Sequence, residues 1–420
     1  MRPRDALGGT APGDALGALA KVCGDVRPGE PEEGVLGVEP AAVAAPGTVG
    51  EAAEVMRVAA EHGLAVVPRG GETRLDWGTP PDRCDLIVDT RRLDRLVEHA
   101  AGDLVATAQA GLPLERLGAE LAGEGQRLAL DVPLPGSTVG GTIATGASGP
   151  LRTLYGTPRN LVIGLTIVRA DGQVAKSGGK VVKNVAGYDL GRLFCGSYGT
   201  LGLIVEATFR LHPTPAARAY VARPVDGPEE AHEAVQAVLH SPVVPSAVEY
   251  LSPGVVAVLL EGVPDGVGAR AEQTVGLLGP DARVSDDAPD GWGRYPDGTV
   301  LLDVAAPPPA LRDLLAALPE TGAAVTWSGD GHGYVGLTPG DVPGGSPGDV
   351  PSGSVADVLA GVRAALARHK GGAVVRYAPQ DVRGAVDVWG PVPALELMRR
   401  VKDQFDPDHR LSPGRFTGGI

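Results

Sequence analysis

Residues 135–149, PGSTVGGTIATGASG, constrain this chain more than any other stretch. The segment is built of Gly, Ala, Ser and Thr around two aliphatic residues and one Pro, and it carries no charged side chain. It cannot bury a core of its own. Gly lacks the Cβ that would hold a ligand at a distance, so backbone amides here can approach one closely. A run of amides and hydroxyls without a Lys suits an anion held by dipoles, such as a phosphate in a backbone nest.

The framework around that segment is large. A chain of 420 residues has room for two or three domains and a sizeable core. Aromatic residues make up only 4%, so the core is expected to be aliphatic. The formal charge of −14 argues against a nucleic-acid surface, which would show as a clustered basic face. No apolar run approaches the roughly 18 residues of a membrane span. The N-terminal stretch MRPRDALGGTAPGDALGAL lacks a continuous apolar region, so no signal peptide is expected. Cys23, Cys84 and Cys195 lie far apart and form no CxxC, iron–sulfur or zinc pattern. They are expected to be buried or partly buried thiols in a reducing cytoplasm.

Along the chain, residues 1–33 are Gly/Pro/Ala-rich and are expected to be poorly structured. TVGEAAEVMRVAAEH (48–62) has helical spacing, with Thr48 as N-cap and Gly63 as stop. Leu64–Pro68 then reads as a strand feeding Arg-Gly-Gly. DLIVD, RLVEH and LVATAQA read as strands, 113–123 as a helix and RLALD as a strand. LVIGLTIVRADGQVAKSG reads as a hairpin about Asp171-Gly172, and 202–211 as a further strand. Hairpins and strands outnumber helices, an α+β pattern rather than strict βαβ alternation. A boundary falls near 212–216, followed by a second α+β domain. Residues 339–353, PGDVPGGSPGDVPSG, read as a flexible low-complexity insert.

The familiar nucleotide fingerprints are missing. There is no G-x-x-x-x-G-K-[ST] and no G-x-G-x-x-G. GVGARA (266–271) is detached from the preceding strand by Val263-Pro264-Asp265, whereas a dinucleotide turn needs a tight junction. Two further glycine turns remain: VVPRGGET (66–73) and FCGSYGTLGLIVEATFRL (194–211). Each alone reads as an ordinary surface turn. Their order around the central segment, with GGKVVKNVAGYDLGRL between the second and third, makes them a set.

That set, PRGGET, PGSTVGGTIATGASG and KVVKNVAGYDLGRLFCGSYGTLG, with LDWGTPP (75–81) and the C-terminal FDPDHRLSPGRF, resembles the vanillyl-alcohol oxidase-like oxidoreductases with a PCMH-type FAD-binding domain. Within that family the chain resembles the FAD-binding subunits of bacterial glycolate oxidases. The resemblance implies an α+β fold: a two-subdomain PCMH-type FAD-binding domain over 34–215, then an α+β cap with antiparallel sheet over 216–420, of which 403–420 returns toward the FAD domain. It implies FAD contacts by Arg69, Gly70, Gly71, Glu72 and Thr73 in the first loop. Pro135, Gly136, Ser137, Thr138, Gly140 and Gly141 would line the pyrophosphate and ribityl region. Ala144, Ala147, Ser148 and Gly149 would continue toward the flavin, and Gly199, Thr200, Gly202 and Ile204 would serve the adenine end.

Two departures from the family pattern matter. Relatives that attach FAD covalently usually carry a His in the first loop, and here there is none, so non-covalent FAD is expected. Glu72 stands where a third Gly is typical, and a carboxylate suits a diphosphate site only if it points away or pairs with Arg69 or Arg74. In the cap, the family's His-Ala-Gly-Asp-Gly-Asn-x-His becomes WSGDGHGY (327–334). Trp327 and Tyr334 take the two His positions and His332 the Asn position, so no metal site is expected. Arg376, Arg415 and His332 are conceivable active-site groups, but no spacing forces them together, and no catalytic residue is assigned.

The resemblance implies a subunit oxidising glycolate to glyoxylate, or D-lactate to pyruvate, with a second flavin subunit and an iron–sulfur subunit. It places the protein in the cytoplasm, reaching the membrane only through partners. Two alternatives stand: a stand-alone FAD-dependent alcohol or 2-hydroxy-acid dehydrogenase, and a flavin-binding subunit without turnover of its own.

Overall fold

Apolar residues at positions 52, 55, 56, 58 and 59 put one face of a helix into the core, and Thr48 starts it by accepting a hydrogen bond from the Glu51 amide at 3.1 Å. This helix, α2 (Val49–Glu61), follows α1 (Pro12–Val22) and the strands β1 (Val26–Pro28) and β2 (Ala42–Ala44). The structure, a computed structural model, describes residues 12–179, 190–319, 323–338 and 352–420. Residues 1–11, residues 180–189 of the third motif and residues 339–351 of the expected insert lie outside the described residues.

Residues 12–33 differ from the sequence expectation. Ala15, Leu19 and Cys23, spaced by four, are buried in the core that α2 also joins, and β1 pairs antiparallel with β2. The Gly and Ala content hid a helix whose stability comes from packing rather than from local periodicity.

The chain divides into two compact units, one of residues 1–147, 157–214 and 392–420, the other of residues 148–156 and 215–391. In the first, β3 (Val66–Arg69) and β4 (Leu86–Asp89) complete a four-stranded sheet of order β1-β2-β4-β3, with β2, β4 and β3 parallel. A second, antiparallel sheet has the order β5-β6-β10-β8-β9. It is formed by β5 (Leu96–Ala100), β6 (Val105–Gln109), β8 (Val162–Val168), β9 (Val174–Gly178) and β10 (Leu203–Arg210). Helix α3 (Leu114–Ala122) packs Leu117 and Leu121 beneath it. The strand expected at RLALD shrinks to β7 (Gln126–Arg127), paired with β11 (His212–Pro213).

Within the glycine-rich segment lies a helix that the composition concealed, α4 (Val139–Thr145), capped by Thr138 and closed by Gly146 in the left-handed conformation. After it come two single-turn helices, α5 (Arg152–Tyr155), which belongs to the second unit, and α6 (Pro158–Leu161).

The second unit is an eight-stranded antiparallel sheet of order β15-β12-β14-β13-β17-β18-β16-β19. Its strands are β12 (Ala217–Pro224), β13 (Ala247–Leu251), β14 (Val255–Gly262), β15 (Arg283–Ser285), β16 (Val300–Ala305), β17 (Ala323–Ser328), β18 (His332–Leu337) and β19 (Gly372–Tyr377). Helices α7 (Gly227–Leu239), α8 (Pro264–Leu278), α9 (Leu311–Ala316) and α10 (Ser352–Ala367) cover one face. Alternate residues such as Val258, Leu260, Leu302, Val304 and Val335 point into that aliphatic core, so their neighbours occupy the opposite face. GVGARA falls inside α8, away from any strand-to-helix turn. A short helix, α11 (Gln380–Ala385), follows β19.

The C-terminal segment belongs to the first unit. Val66 donates its N–H to the Arg410 carbonyl and accepts from Ser412, so residues 410–412 run along the edge of β3. Lys402, on α12 (Leu395–Phe405), fixes this return. Its fully buried ammonium donates to Asp406 Oδ2 at 2.7 Å and to the carbonyls of Thr200 and Leu411 at 2.8 Å, satisfying all three protons. Lys402→Ala strands the buried Asp406 carboxylate. It should cost about 3–5 kcal/mol in denaturant-monitored unfolding, as loss of one partner of a buried pair does.

Candidate functional site

Three turns of the first unit enclose a solvent-open cleft of about 780 Å³. One wall is the turn after β3, another is α4, and the third is the turn before β10. Of the expected positions, Arg69, Gly70, Gly71, Glu72, Thr73, Thr138, Gly140, Gly141, Ala144, Gly199, Gly202 and Ile204 line it. The structure therefore brings the three glycine motifs to one place, with Val67, Leu203 and Ile204 supplying an apolar lining.

The first two loops touch through their backbones. A Cβ on Gly71 would sit 1.9 Å from the Gly136 carbonyl oxygen, and one on Gly70 would sit 2.4 Å from Thr138 Oγ1. Only glycine allows this approach. Side chains then tie the loops: Arg74 Nη1 donates to Ser137 Oγ at 2.9 Å, and Thr73 Oγ1 lies 3.3 Å from the same hydroxyl. Arg74 is buried, lies against Trp77 and lines the cleft, yet it was not among the expected ligands. The signal was present as the cation that closes RGGETR.

Arg69 departs from the expected role. Its buried guanidinium turns to Asp89 Oδ2 (2.8 and 3.1 Å) and Glu33 Oε1 (2.7 Å), which neutralise it. Burial would raise the Asp89 carboxyl, but hydrogen bonds from Arg91 and Arg69 outweigh it and hold Asp89 below its ordinary value. Hydrogen bonding from Arg27, and secondarily from Arg69, holds the Glu33 carboxyl down at about 2. Glu72 has a left-handed backbone and pairs at 3.4 Å with Arg69 and at 3.5 Å with Arg91, which answers the repulsion that its carboxylate posed.

Other expected ligands are off the cleft surface, Ser137, Ala147 and Thr200 being buried and Pro135 and Gly136 facing solvent. Pro135, Gly136, Ser137, Ala147 and Thr200 are not on the cleft surface. The Gly136 amide donates to Glu115 Oε1, Ser137 Oγ donates to the Leu134 carbonyl, and Thr200 is buried with its hydroxyl on Ser197. These residues shape the loops. Ser148 and Gly149 belong to the second unit. Gly140 lines the cleft but is also a packing glycine: its amide donates to the Ala110 carbonyl, and a Cβ there would meet Ala110 Cβ at 2.8 Å.

Arg415 completes the cleft from the C-terminus, its Nη2 donating to the carbonyls of Leu75 and Trp77 at 2.9 and 2.7 Å. The other two conceivable active-site groups come together on the second unit's sheet, on the face away from the helices. Asp303 Oδ1 receives His332 Nε2 at 3.0 Å, and Asp303 Oδ2 receives Arg376 Nε and Nη2 at 2.9 and 2.8 Å. Burial would raise this carboxyl, but Arg376 and then His332 outweigh it, so it stays ionised well below the usual range. The Tyr334 ring packs edge-on against those of His332 and Tyr295. Trp327 is fully buried in the aliphatic core, a packing residue.

Comparison with known proteins names this architecture. The FAD binding domain family matches residues 40–178, and the C-terminal domain of FAD linked oxidases matches residues 389–416. The chain is an FAD-linked oxidoreductase, with the FAD binding domain and the C-terminal segment of the FAD linked oxidases. It is similar to the glycolate oxidase subunit GlcD of Bacillus subtilis, 33% identical over 50% of this chain and 45% of that one. It is 40% identical to a D-2-hydroxyglutarate dehydrogenase of Xanthomonas citri over 42% of this chain and 38% of that one. An uncharacterized FAD-linked oxidoreductase of Mycobacterium tuberculosis is 28% identical over 90% of this chain and 91% of its own length. The chain thus matches less than half the length of the first two. Among solved structures, p-cresol methylhydroxylase shares the fold, with a TM-score of 0.70 at 14% identity and 96% of each chain covered.

FAD is the cofactor of this flavoprotein family, and the cleft fits it. The glycine loops leave no Cβ between backbone and ligand, Arg74 and Arg415 bring positive charge to a wall that has no Lys among the described residues, and the apolar lining suits a flat ring. A Cβ at Gly141 would meet only Thr138 Oγ1, at 3.2 Å, so Gly141→Val should keep the fold but yield colourless protein. Gly71→Ala should instead lower thermal stability, because its Cβ strikes backbone. Flavin absorbance and melting temperature of the two variants separate the roles.

Proposed function

We propose that this FAD-binding oxidoreductase acts on a small 2-hydroxy acid, as the FAD-binding subunit of a glycolate oxidase-type complex. Glycolate going to glyoxylate, or D-lactate to pyruvate, is the reaction put forward. The observation that carries the reading is the cleft itself, three glycine turns and two arginines assembled in a domain similar to those of GlcD and the D-2-hydroxyglutarate dehydrogenase.

Bound FAD supplies a hydride acceptor, and the protein supplies position and charge. The first and second loops would hold the diphosphate through backbone amides and Thr73, with Arg74 and Arg415 balancing its charge. Arg69 and Ser137 would act one layer back, holding the loops in place. Among the described residues lining the cleft none is His or Cys, which supports non-covalent FAD. Three dispersed cysteines offer no cluster ligation, so an iron–sulfur centre would sit on a separate chain, and the likeness to both glycolate oxidase subunits GlcD and GlcE supports a second subunit of this kind. No helix among the described residues is long and apolar enough to cross a membrane, which is consistent with a cytoplasmic subunit that meets the membrane through its partners.

One observation favours a second reading, a flavin-binding subunit without turnover. The cap positions that carry His in the family motif hold Trp327, buried in packing, and Tyr334. The purified chain should be yellow and release FAD on acid precipitation. Anaerobic glycolate or D-lactate should bleach it, alone or after partner subunits are added. Bleaching by neither acid in either condition overturns the first reading in favour of the second. Protein that takes up no FAD overturns both.

A further inference from the structure

The turn after β3 reads Arg-Gly-Gly-Glu-Thr, and its fourth residue adopts a backbone conformation that side chains rarely take. Glu72 has φ +62°, in the left-handed region that glycine enters freely and other residues enter at a cost. Its side chain lines the cleft and is 46% exposed, so no core packing holds it there. A backbone outlier with its side chain outside the core points to a role in the cleft rather than in stability.

Glu72 closes a chain of ion pairs within the first unit. Arg27 pairs with Glu33, Glu33 with Arg69, Arg69 with Asp89 and Asp89 with Arg91. Up to that point three guanidiniums face two carboxylates, which leaves one net positive charge. Glu72 is the third carboxylate and brings the sum to zero. It is also the loosest member. Its Oε1 stands 3.4 Å from Arg69 and 3.5 Å from Arg91, against 2.5 to 2.8 Å for the other pairs. Arg69 and Arg91 are both bonded to the buried Asp89 Oδ2, so neither needs Glu72 to stay in place.

A carboxylate on the wall of a diphosphate site acts twice. It repels the incoming anion, and it cancels the positive charge that the chain of pairs would otherwise offer. Arg69 is buried, so the field that Glu72 cancels is one that solvent screens little. We propose that Glu72 is a resident counter-anion that keeps FAD exchangeable. It competes with the diphosphate for the field of Arg69 and Arg91, loosens the hold on the cofactor and lets flavin-free and loaded forms interchange. The proposal rests on the reading that the first two loops hold the diphosphate. The backbone supports it: glycine would make the same turn without strain and without charge, and Glu72 brings both.

The test uses the full chain, stripped of flavin and titrated with FAD. Glu72→Gln removes the charge and keeps the left-handed side chain, whereas Glu72→Gly removes both. Each should bind FAD at least about tenfold more tightly than the parent, as expected for one unit charge a few ångströms from an anion in a partly screened site. Release of FAD should slow by a similar factor. The gain should shrink as salt rises toward about 1 M, because screening weakens a charge effect and leaves a steric one. Riboflavin, which has no diphosphate, should show no gain. Flavin-free Glu72→Gln should melt with the parent; if either variant melts lower, the other carries the comparison. Unchanged or weaker FAD binding overturns the proposal, as does an equal gain for riboflavin. A gain confined to Glu72→Gly and indifferent to salt traces to the backbone and also overturns it. The cleft reading fails separately: FAD bound normally by Gly141→Val, or taken up by neither parent nor variants, overturns that reading and this proposal with it.

Discussion

The contact of Gly71 with the Gly136 carbonyl decides the shape of the first unit's cleft. Two loops that carry no core of their own are pressed together backbone to backbone, at a distance no side chain tolerates. Everything else follows from holding that contact. Arg74 and Thr73 bridge to Ser137 on one side, Glu115 takes the Gly136 amide on the other, and Thr138 turns the chain into α4. Arg69, which the motif offers as a phosphate ligand, is spent on Asp89 and Glu33 and so anchors the first loop to the sheet.

The charge of the site follows from the same geometry. Among the described residues the cradle is close backbone without a lysine, and positive charge comes from the rim. Arg74 supplies it from the residue that follows the first loop, and Arg415 from a segment more than three hundred residues away in sequence. That segment is in place because residues 410–412 add to the edge of β3 and because Lys402 spends all three of its protons on the return. The C-terminal stretch is therefore part of the cleft's construction.

The sequence made legible what local chemistry decides. Thr48 as a cap, the Asp171-Gly172 hairpin, the helices of the second unit and the three glycine turns are each specified within a few residues. Fold class and family followed from their order. What stayed hidden depends on distant packing. The helix α1 is made by Leu19 and Cys23 meeting α2, and α4 forms in a stretch whose glycines suggest only a loop. The ladder that sets His332 and Arg376 on either side of Asp303 is likewise a property of three strands and not of any one.

Chemistry in the second unit turns on what replaced the family's histidines. Two imidazoles flanking Gly-Asp-Gly could hold a metal, whereas a buried indole and a buried phenol packed edge-on cannot. Burial pushes the Tyr334 phenol well above its ordinary range, so it stays neutral, and a neutral phenol gives no charge to an anion. Arg376 and His332 are basic groups on the same sheet face, and one buried carboxylate engages both. A turn of Gly329, Asp330 and Gly331 still delivers β18 to that position, since a Cβ on Gly331 would lie 2.0 Å from the Ala306 carbonyl oxygen.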